Sequence, residues 1–230
     1  MKIVFLNVWD DAKRLEEIQR FLREHATDTD VFCFQESGER MLSLCGDILA
    51  SYESVGFAKM VLPFPFCQSI YVRKDWEICS SKIFFDGPYT EDRGFGLAVE
   101  IRRQEKKLWV ANIHGISYPG KLDTPGRLKQ SQEIIEFYRD KTGPKIIGGD
   151  FNVLPETESV RMFKDHGYHD LIEEYKIKTT RNHFAWDHHP DNPLYYSDYV
   201  FTSPEVRVRN FTVIENEISD HLPMIVEIEE

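Results

Sequence analysis

Apolar residues run almost unbroken over residues 3–8 and again over residues 30–35, and each short run reads as a buried strand. Between them, residues 10–24 set Leu15, Ile18 and Leu22 at helical spacing among charges. The order strand, helix, strand predicts a parallel pair joined by a crossover.

A second helix is predicted over residues 39–49. From residue 52 the pattern becomes short and β-rich, with strands expected at 55–61, 69–72, 78–85, 94–101 and 108–114. The charged residues 102–107 read as a hairpin turn. Residues 125–141 place Leu128, Ile134, Ile135 and Tyr138 on one helical face, and residues 145–148 form another buried strand. A short helix over 156–164 and strands at 197–202, 206–214 and 224–228 complete the pattern. Residues 181–194, rich in His, Asp, Asn and Pro, read as a long loop of the kind that carries function. There is no repeat or linker, so residues 1–230 are expected to form one α/β domain with helices outside its strands.

Composition sharpens this picture. Of 230 residues, 41% are hydrophobic, enough for a large core. The formal charge of −11 argues against tight, non-specific binding of duplex nucleic acid, which calls for a basic face. Cys33, Cys45, Cys67 and Cys79 form no CxxC pair and read as buried free thiols rather than a zinc or redox site. The apolar start is too short for a signal peptide, and no stretch is long enough to span a membrane. A cytoplasmic monomer with no stable membrane association is the expectation.

Polar residues with chemical potential stand at the ends of the apolar runs: Asn7, Glu36, His114, Asp150 with Asn152, Asp198, and Asp220 with His221. In sheet-based enzymes, strand ends are where side chains from distant parts of the chain converge. Taken singly, each has a bland reading as a solvated turn, a helix cap or a surface histidine.

Together they form an ordered set: Leu6-Asn7-Val8, Phe34-Gln35-Glu36, Asn112-Ile113-His114, Gly148-Gly149-Asp150-Phe151-Asn152, Ser197-Asp198-Tyr199-Val200-Phe201 and Ser219-Asp220-His221-Leu222-Pro223. This set resembles the endonuclease/exonuclease/phosphatase superfamily, which includes pancreatic-type deoxyribonucleases, abasic-site endonucleases, deadenylases, tyrosyl-DNA phosphodiesterases, neutral sphingomyelinases and inositol polyphosphate 5-phosphatases. The matches cover nearly the whole chain. The resemblance implies a four-layer α/β/β/α sandwich of two packed mixed sheets flanked by helices. It also implies a magnesium-dependent phosphoesterase, with manganese as the alternative ion.

On this resemblance Glu36, Asn7 and Asp220 are expected to hold the metal. Magnesium takes hard oxygen ligands and keeps several waters, so one or two carboxylates suffice. Asp150 would activate or orient the attacking water, which needs a group within hydrogen-bond reach. Asn152, on the same side as Asp150 if the segment is extended, would donate to a phosphoryl oxygen. His221, backed by Asp198, would donate to another, and His114 would contact the phosphate or protonate the leaving group. The abasic-site endonucleases carry an acid two positions after the first asparagine; here that position is Trp9, which argues against that branch.

Lys121, Arg127 and Lys129 follow His114, and Lys176, Lys178 and Arg181 precede the long loop. Arg127 and Arg181 are the expected substrate clamps. His183, His188, His189 and Trp186 form a second polar cluster, read as a surface loop in which Trp186 or Phe184 could stack on a flat group. The expected reaction is hydrolysis of a phosphodiester, in a short or single-stranded nucleic acid or a small molecule. A phosphomonoesterase is the alternative, and a catalytically silent binding module the alternative from another class.

Overall fold

The computed structural model describes all residues except 10–13, 62–63, 87–93, 119, 189–193 and 230, and the backbone alone at 59–61, 64–66 and 188. The elements are, in chain order, β1 (Lys2–Asn7), α1 (Leu15–His25), β2 (Val31–Ser37), α2 (Glu39–Ile48), β3 (Tyr52–Val61), β4 (Phe64–Arg73), β5 (Glu77–Phe84), β6 (Phe95–Arg103) and β7 (Lys106–His114). They continue with α3 (Pro125–Arg139), β8 (Lys145–Asp150), α4 (Glu158–Asp165), β9 (His169–Asp170), α5 (Leu171–Glu174), α6 (His183–His188), β10 (Asp198–Thr202), β11 (Val208–Val213) and β12 (Met224–Ile228).

The strands form two six-stranded sheets, ordered β11-β12-β1-β2-β4-β3 and β5-β6-β7-β8-β10-β9. β1 and β2 pair in parallel, as do β7 and β8; the other pairs are antiparallel. Alternation along β1 and β2 explains their unbroken apolar runs. Ile3, Phe5, Val31 and Cys33 face the second sheet, whereas Val4, Leu6, Phe32 and Phe34 face α1 and α2. On the far side, Ile134, Ile135 and Tyr138 of α3 and Val160 and Phe163 of α4 cover the second sheet. The result is the expected four-layer sandwich.

α3 starts where its sequence says it should. The Thr124 hydroxyl accepts from Arg127 N at 3.2 Å, and Pro125 follows at the first helical position. Such a cap contributes about 1 kcal/mol. Both sheets are further tied by a buried polar cross-link. Asn112 on β7 donates to the carbonyls of Phe34 and Ser69 in the opposite sheet at 2.9 and 3.0 Å and accepts from Gln35. A buried amide held this way fixes the register of one sheet on the other.

Some expectations need correction. Residues 181–194 are not structureless: His183–His188 form a short helix, while residues 189–193, His189 among them, lie outside the described residues. The first helix is described from Leu15 to His25, and residues 10–13 of its expected span lie outside the described residues. β9 and α5, of two and four residues, were too short for any periodicity to reveal. Cys33 and Cys45 are buried free thiols, but Cys67 is half-buried and Cys79 exposed. Among the described residues no helix is long and apolar enough to cross a membrane.

Candidate active site

The topology brings the polar strand ends together. β1, β2, β7 and β8 end at one edge of the sandwich with Asn7, Glu36, His114 and Asp150, and His114 lies opposite Asp150 in register. β10 runs antiparallel to β8, so its first residue, Asp198, pairs with Asp150. β12 runs antiparallel to β1 and begins just after His221.

Glu36 reaches the site by a local irregularity. The register between β2 and β4 shifts between Phe34 and Ser37, and Glu36 takes a positive φ of 55°. A bulge of this kind re-aims a side chain that regular pleating would point elsewhere. Gly149 serves a different need. Its φ is 128°, and a Cβ there would sit 2.1 Å from Ile113 O, so β7 and β8 approach this closely only over glycine.

At the centre, Glu36, His114 and Asp150 bring ligand atoms within 4.8 Å of one another. His114 Nε2 lies 3.3 Å from Glu36 Oε1 and 3.9 Å from Asp150 Oδ2, with its ring stacked on Phe95. Asn7 is fully buried, and its Nδ2 bridges Glu36 Oε1 at 3.0 Å and Asp150 Oδ2 at 3.2 Å. Its Oδ1 accepts Trp9 N at 3.0 Å, so the amide turns its nitrogen to the carboxylates and its oxygen to the main chain.

The two oxygens of Asp150 have different surroundings. Oδ1 accepts from Ser197 Oγ at 2.6 Å and from Asn152 N at 2.9 Å. Oδ2 faces Asn7, His114 and, at 3.6 Å, His221 Nε2. Burial alone would raise the pKa of this carboxyl, but His221, Lys121, His114 and Arg181 together outweigh it and hold Asp150 well below the usual carboxylate range. It is ionised at neutral pH.

His221 Nδ1 meets both oxygens of Asp198, at 2.9 and 3.0 Å, which leaves Nε2 to face Asp150. Burial and Arg181 push this imidazole down, but Asp198, Asp220 and Asp150 overcome both and raise it above the ordinary histidine value. Asp198 is itself fixed by Thr180 Oγ1 at 2.9 Å. Ser219 Oγ ties the Asp220–His221 turn back to Asn7 O at 2.7 Å. Sequence reading missed Thr180, Ser197 and Ser219 as supports. Two of the three immediately precede an aspartate already singled out, which was a usable signal; Thr180 had none.

Four expected residues sit differently from expectation. Arg127, expected as a substrate clamp, is 1% exposed and donates to the main-chain carbonyls of Ile116, Gly120 and Leu122. Arg181 and Asp220 pair with each other, and Arg181 also donates to Asp220 O and Ser197 Oγ. Asn152 is not extended. It has φ 58°, donates from Nδ2 to Gly115 O at 3.2 Å, and accepts from Lys121 Nζ at Oδ1. Of the second histidine-rich cluster, His183 lies 3.9 Å from Glu217, and Phe184 is stacked under the Arg14 guanidinium.

The donor set fits a hard divalent cation. Glu36 and Asp150 bring buried or half-buried carboxylate oxygens together with only an amide and an imidazole between them, an arrangement that a small dication would relieve.

The model of the endonuclease/exonuclease/phosphatase family matches residues 4–221. No curated protein sequence matches the chain significantly. Among solved structures, an endonuclease/exonuclease/phosphatase from Bacteroides vulgatus superposes with a TM-score of 0.80 at 17% identity, covering 99% of this chain and 98% of that one. A mannosyl-6-phosphatase from Bacteroides thetaiotaomicron gives 0.78 at 19% identity, with all of both chains covered. TDP2 from D. rerio, in complex with a single-strand DNA product, gives 0.73 at 19%, covering 100% and 99%.

Proposed function

Because the chain belongs to the endonuclease/exonuclease/phosphatase family, we propose that it is a magnesium-dependent hydrolase that cleaves a phosphodiester by in-line attack of water. The observation that carries this reading is the division of labour on Asp150: Oδ1 is fixed by Ser197 and Asn152, and Oδ2 faces the centre among Asn7, His114 and His221. Water held by Oδ2 attacks phosphorus and passes its proton to that carboxylate. The bond to the leaving oxygen breaks on the opposite side, and His114 returns a proton to it. His221 Nε2 and the second hydrogen on Asn152 Nδ2 donate to the non-bridging oxygens. Glu36 and Asp150 would hold magnesium, with Asp220 behind; manganese suits the same oxygen donors. Such an ion supplies charge neutralisation and a more acidic water. An ionised Asp150 is a weak base, so it orients the water first and takes the proton only as the new bond to phosphorus forms.

The substrate fits a short or single-stranded nucleic acid, or a small diester, better than a long duplex, given the net charge of −11. TDP2, bound to single-strand DNA product, shows what the fold can hold. A second reading, hydrolysis of a phosphomonoester, has one observation in its favour: Lys121 adds a cation near the centre that no carboxylate of the described residues contacts. The mannosyl-6-phosphatase shares the fold.

The test is hydrolysis of bis-p-nitrophenyl phosphate, p-nitrophenyl phosphate and labelled single-stranded and duplex DNA and RNA, with magnesium and with chelator. Metal-dependent cleavage of a diester that Asp150→Ala abolishes is the expected result. Equal inertness of wild type and Asp150→Ala across the panel would overturn the reading, and cleavage of the monoester alone would select the second one.

A further inference from the structure

Lys121 is the one lysine or arginine near the centre, among the described residues, whose donors are largely unengaged. Its ammonium lies within electrostatic reach of Asp150, Arg181 and Asp198 but makes no ion pair with the described residues, among which its single hydrogen bond goes to Asn152 Oδ1. Arg181 next to it is neutralised by Asp220, and the donors of Arg127 go to carbonyls. An ammonium has three hydrogens, so Lys121 keeps two to offer. Withdrawing a cation from water without a contacting countercharge is costly unless an anion completes the site.

The chain around Lys121 is built to hold it there. The buried Arg127 guanidinium gathers the carbonyls of Ile116, Gly120 and Leu122, which flank Lys121 on both sides. Lys121 O accepts from Leu154 N at 3.0 Å, just past Asn152. Asp123 anchors the same segment to α4, accepting from Glu158 N at 2.7 Å, Ser159 N at 3.0 Å and Ser159 Oγ at 2.6 Å. A segment restrained at three points does not place a cation beside Asn152 by accident of rotamer.

We propose that Lys121 is a phosphoryl-binding residue, donating to a non-bridging oxygen of the scissile phosphate while it holds Asn152 in position, with Arg127 as the positioning residue that shapes the segment carrying it. This rests on the phosphoesterase reading above for the site it belongs to. The chemistry recognised is the phosphoryl group itself, common to monoesters and diesters.

The experiment measures binding of inorganic phosphate to the magnesium-loaded protein by calorimetry, for wild type, Lys121→Met, Lys121→Gln and Lys121→Arg, alongside hydrolysis of both p-nitrophenyl esters. Lys121→Met and Lys121→Gln are expected to weaken phosphate binding at least tenfold, with Lys121→Arg recovering part of it and circular dichroism unchanged. Equal losses of kcat/KM on both esters assign the contact to an oxygen that monoester and diester share. A larger loss on the monoester assigns it to the second charge of a terminal phosphate. Phosphate binding unchanged in both folded Lys121→Met and Lys121→Gln would overturn the proposal. Should wild type bind phosphate through Lys121 yet hydrolyse nothing, the inference stands and the hydrolase reading falls.

Discussion

Ser197 Oγ donates to Asp150 Oδ1 at 2.6 Å, a contact between the last residue before β10 and the last residue of β8. It fixes the rotation of a carboxylate whose other oxygen meets water and phosphorus in the mechanism proposed above. Removing it leaves Asn152 N as the remaining donor to Oδ1. Ser197→Ala should therefore fold normally but lose about tenfold to a hundredfold in kcat/KM, since hydrogen bonds to charged groups contribute roughly 1.5–3 kcal/mol. Steady-state kinetics against the best ester found would check this. Full activity in the variant would mean that Asp150 is oriented by Asn152 alone.

Arg127 tests the opposite kind of role. Its guanidinium serves buried main-chain carbonyls, so Arg127→Met should destabilise the fold by about 3 kcal/mol, leaving those acceptors without partners. For a chain of this size that is a fall of roughly 6–12 °C in the melting temperature. Scanning calorimetry reads it directly, and a substrate clamp would instead leave the melting temperature unchanged.

The sequence pattern made most of the fold and the reacting groups legible, because both sheets bury their inner strands on two faces and announce themselves as apolar runs. The reactive side chains then fall at the ends of those runs, as Asn7 does after Leu6 and Asp150 after Gly149. Arg127 was misread because helical spacing says nothing of a preceding segment that folds over one face of the helix. Asn152 was misread because its positive φ depends on packing against Gly115 and Lys121, which no local pattern encodes. Thr180 and Asp198 are far enough apart in sequence that only the assembled site makes them partners.

Asp170 gives a prediction in pH. It caps α5, accepting from Ile172 N at 3.0 Å and Glu173 N at 3.4 Å, and burial raises its carboxyl to about 6 from the ordinary 3.8 against those bonds. A folded value above the unfolded one favours the protonated form on folding, so the contribution is complete below pH 3.8 and is lost as pH rises through about 6. The shift corresponds to about 3 kcal/mol. Asp170→Asn keeps the acceptor and removes the titration. Its stability relative to wild type should rise between pH 4.5 and 7 and then level off. Denaturant melts across that range measure the difference; a constant offset would refute the assignment.

Gly149 and Gly46 separate two uses of glycine in one chain. Gly149 adopts φ 128°, and a Cβ would lie 2.1 Å from Ile113 O and 3.0 Å from Ile113 N, both main-chain atoms of the paired strand that cannot swing aside. Gly46 sits inside α2 with nothing within 4 Å of an added Cβ. Gly149→Ala must therefore push β7 from β8 or leave its backbone conformation, and should cost more than about 4 kcal/mol. The same change displaces Asp150 from His114, so any folded fraction should also be inactive. Gly46→Ala should instead stabilise by about 0.5–1 kcal/mol, because alanine loses less chain entropy in a helix. Soluble yield and thermal melts of the two variants side by side decide the matter. Comparable stability of both would show that β7 and β8 have slack at Gly149, contrary to the close approach that sets His114 against Asp150.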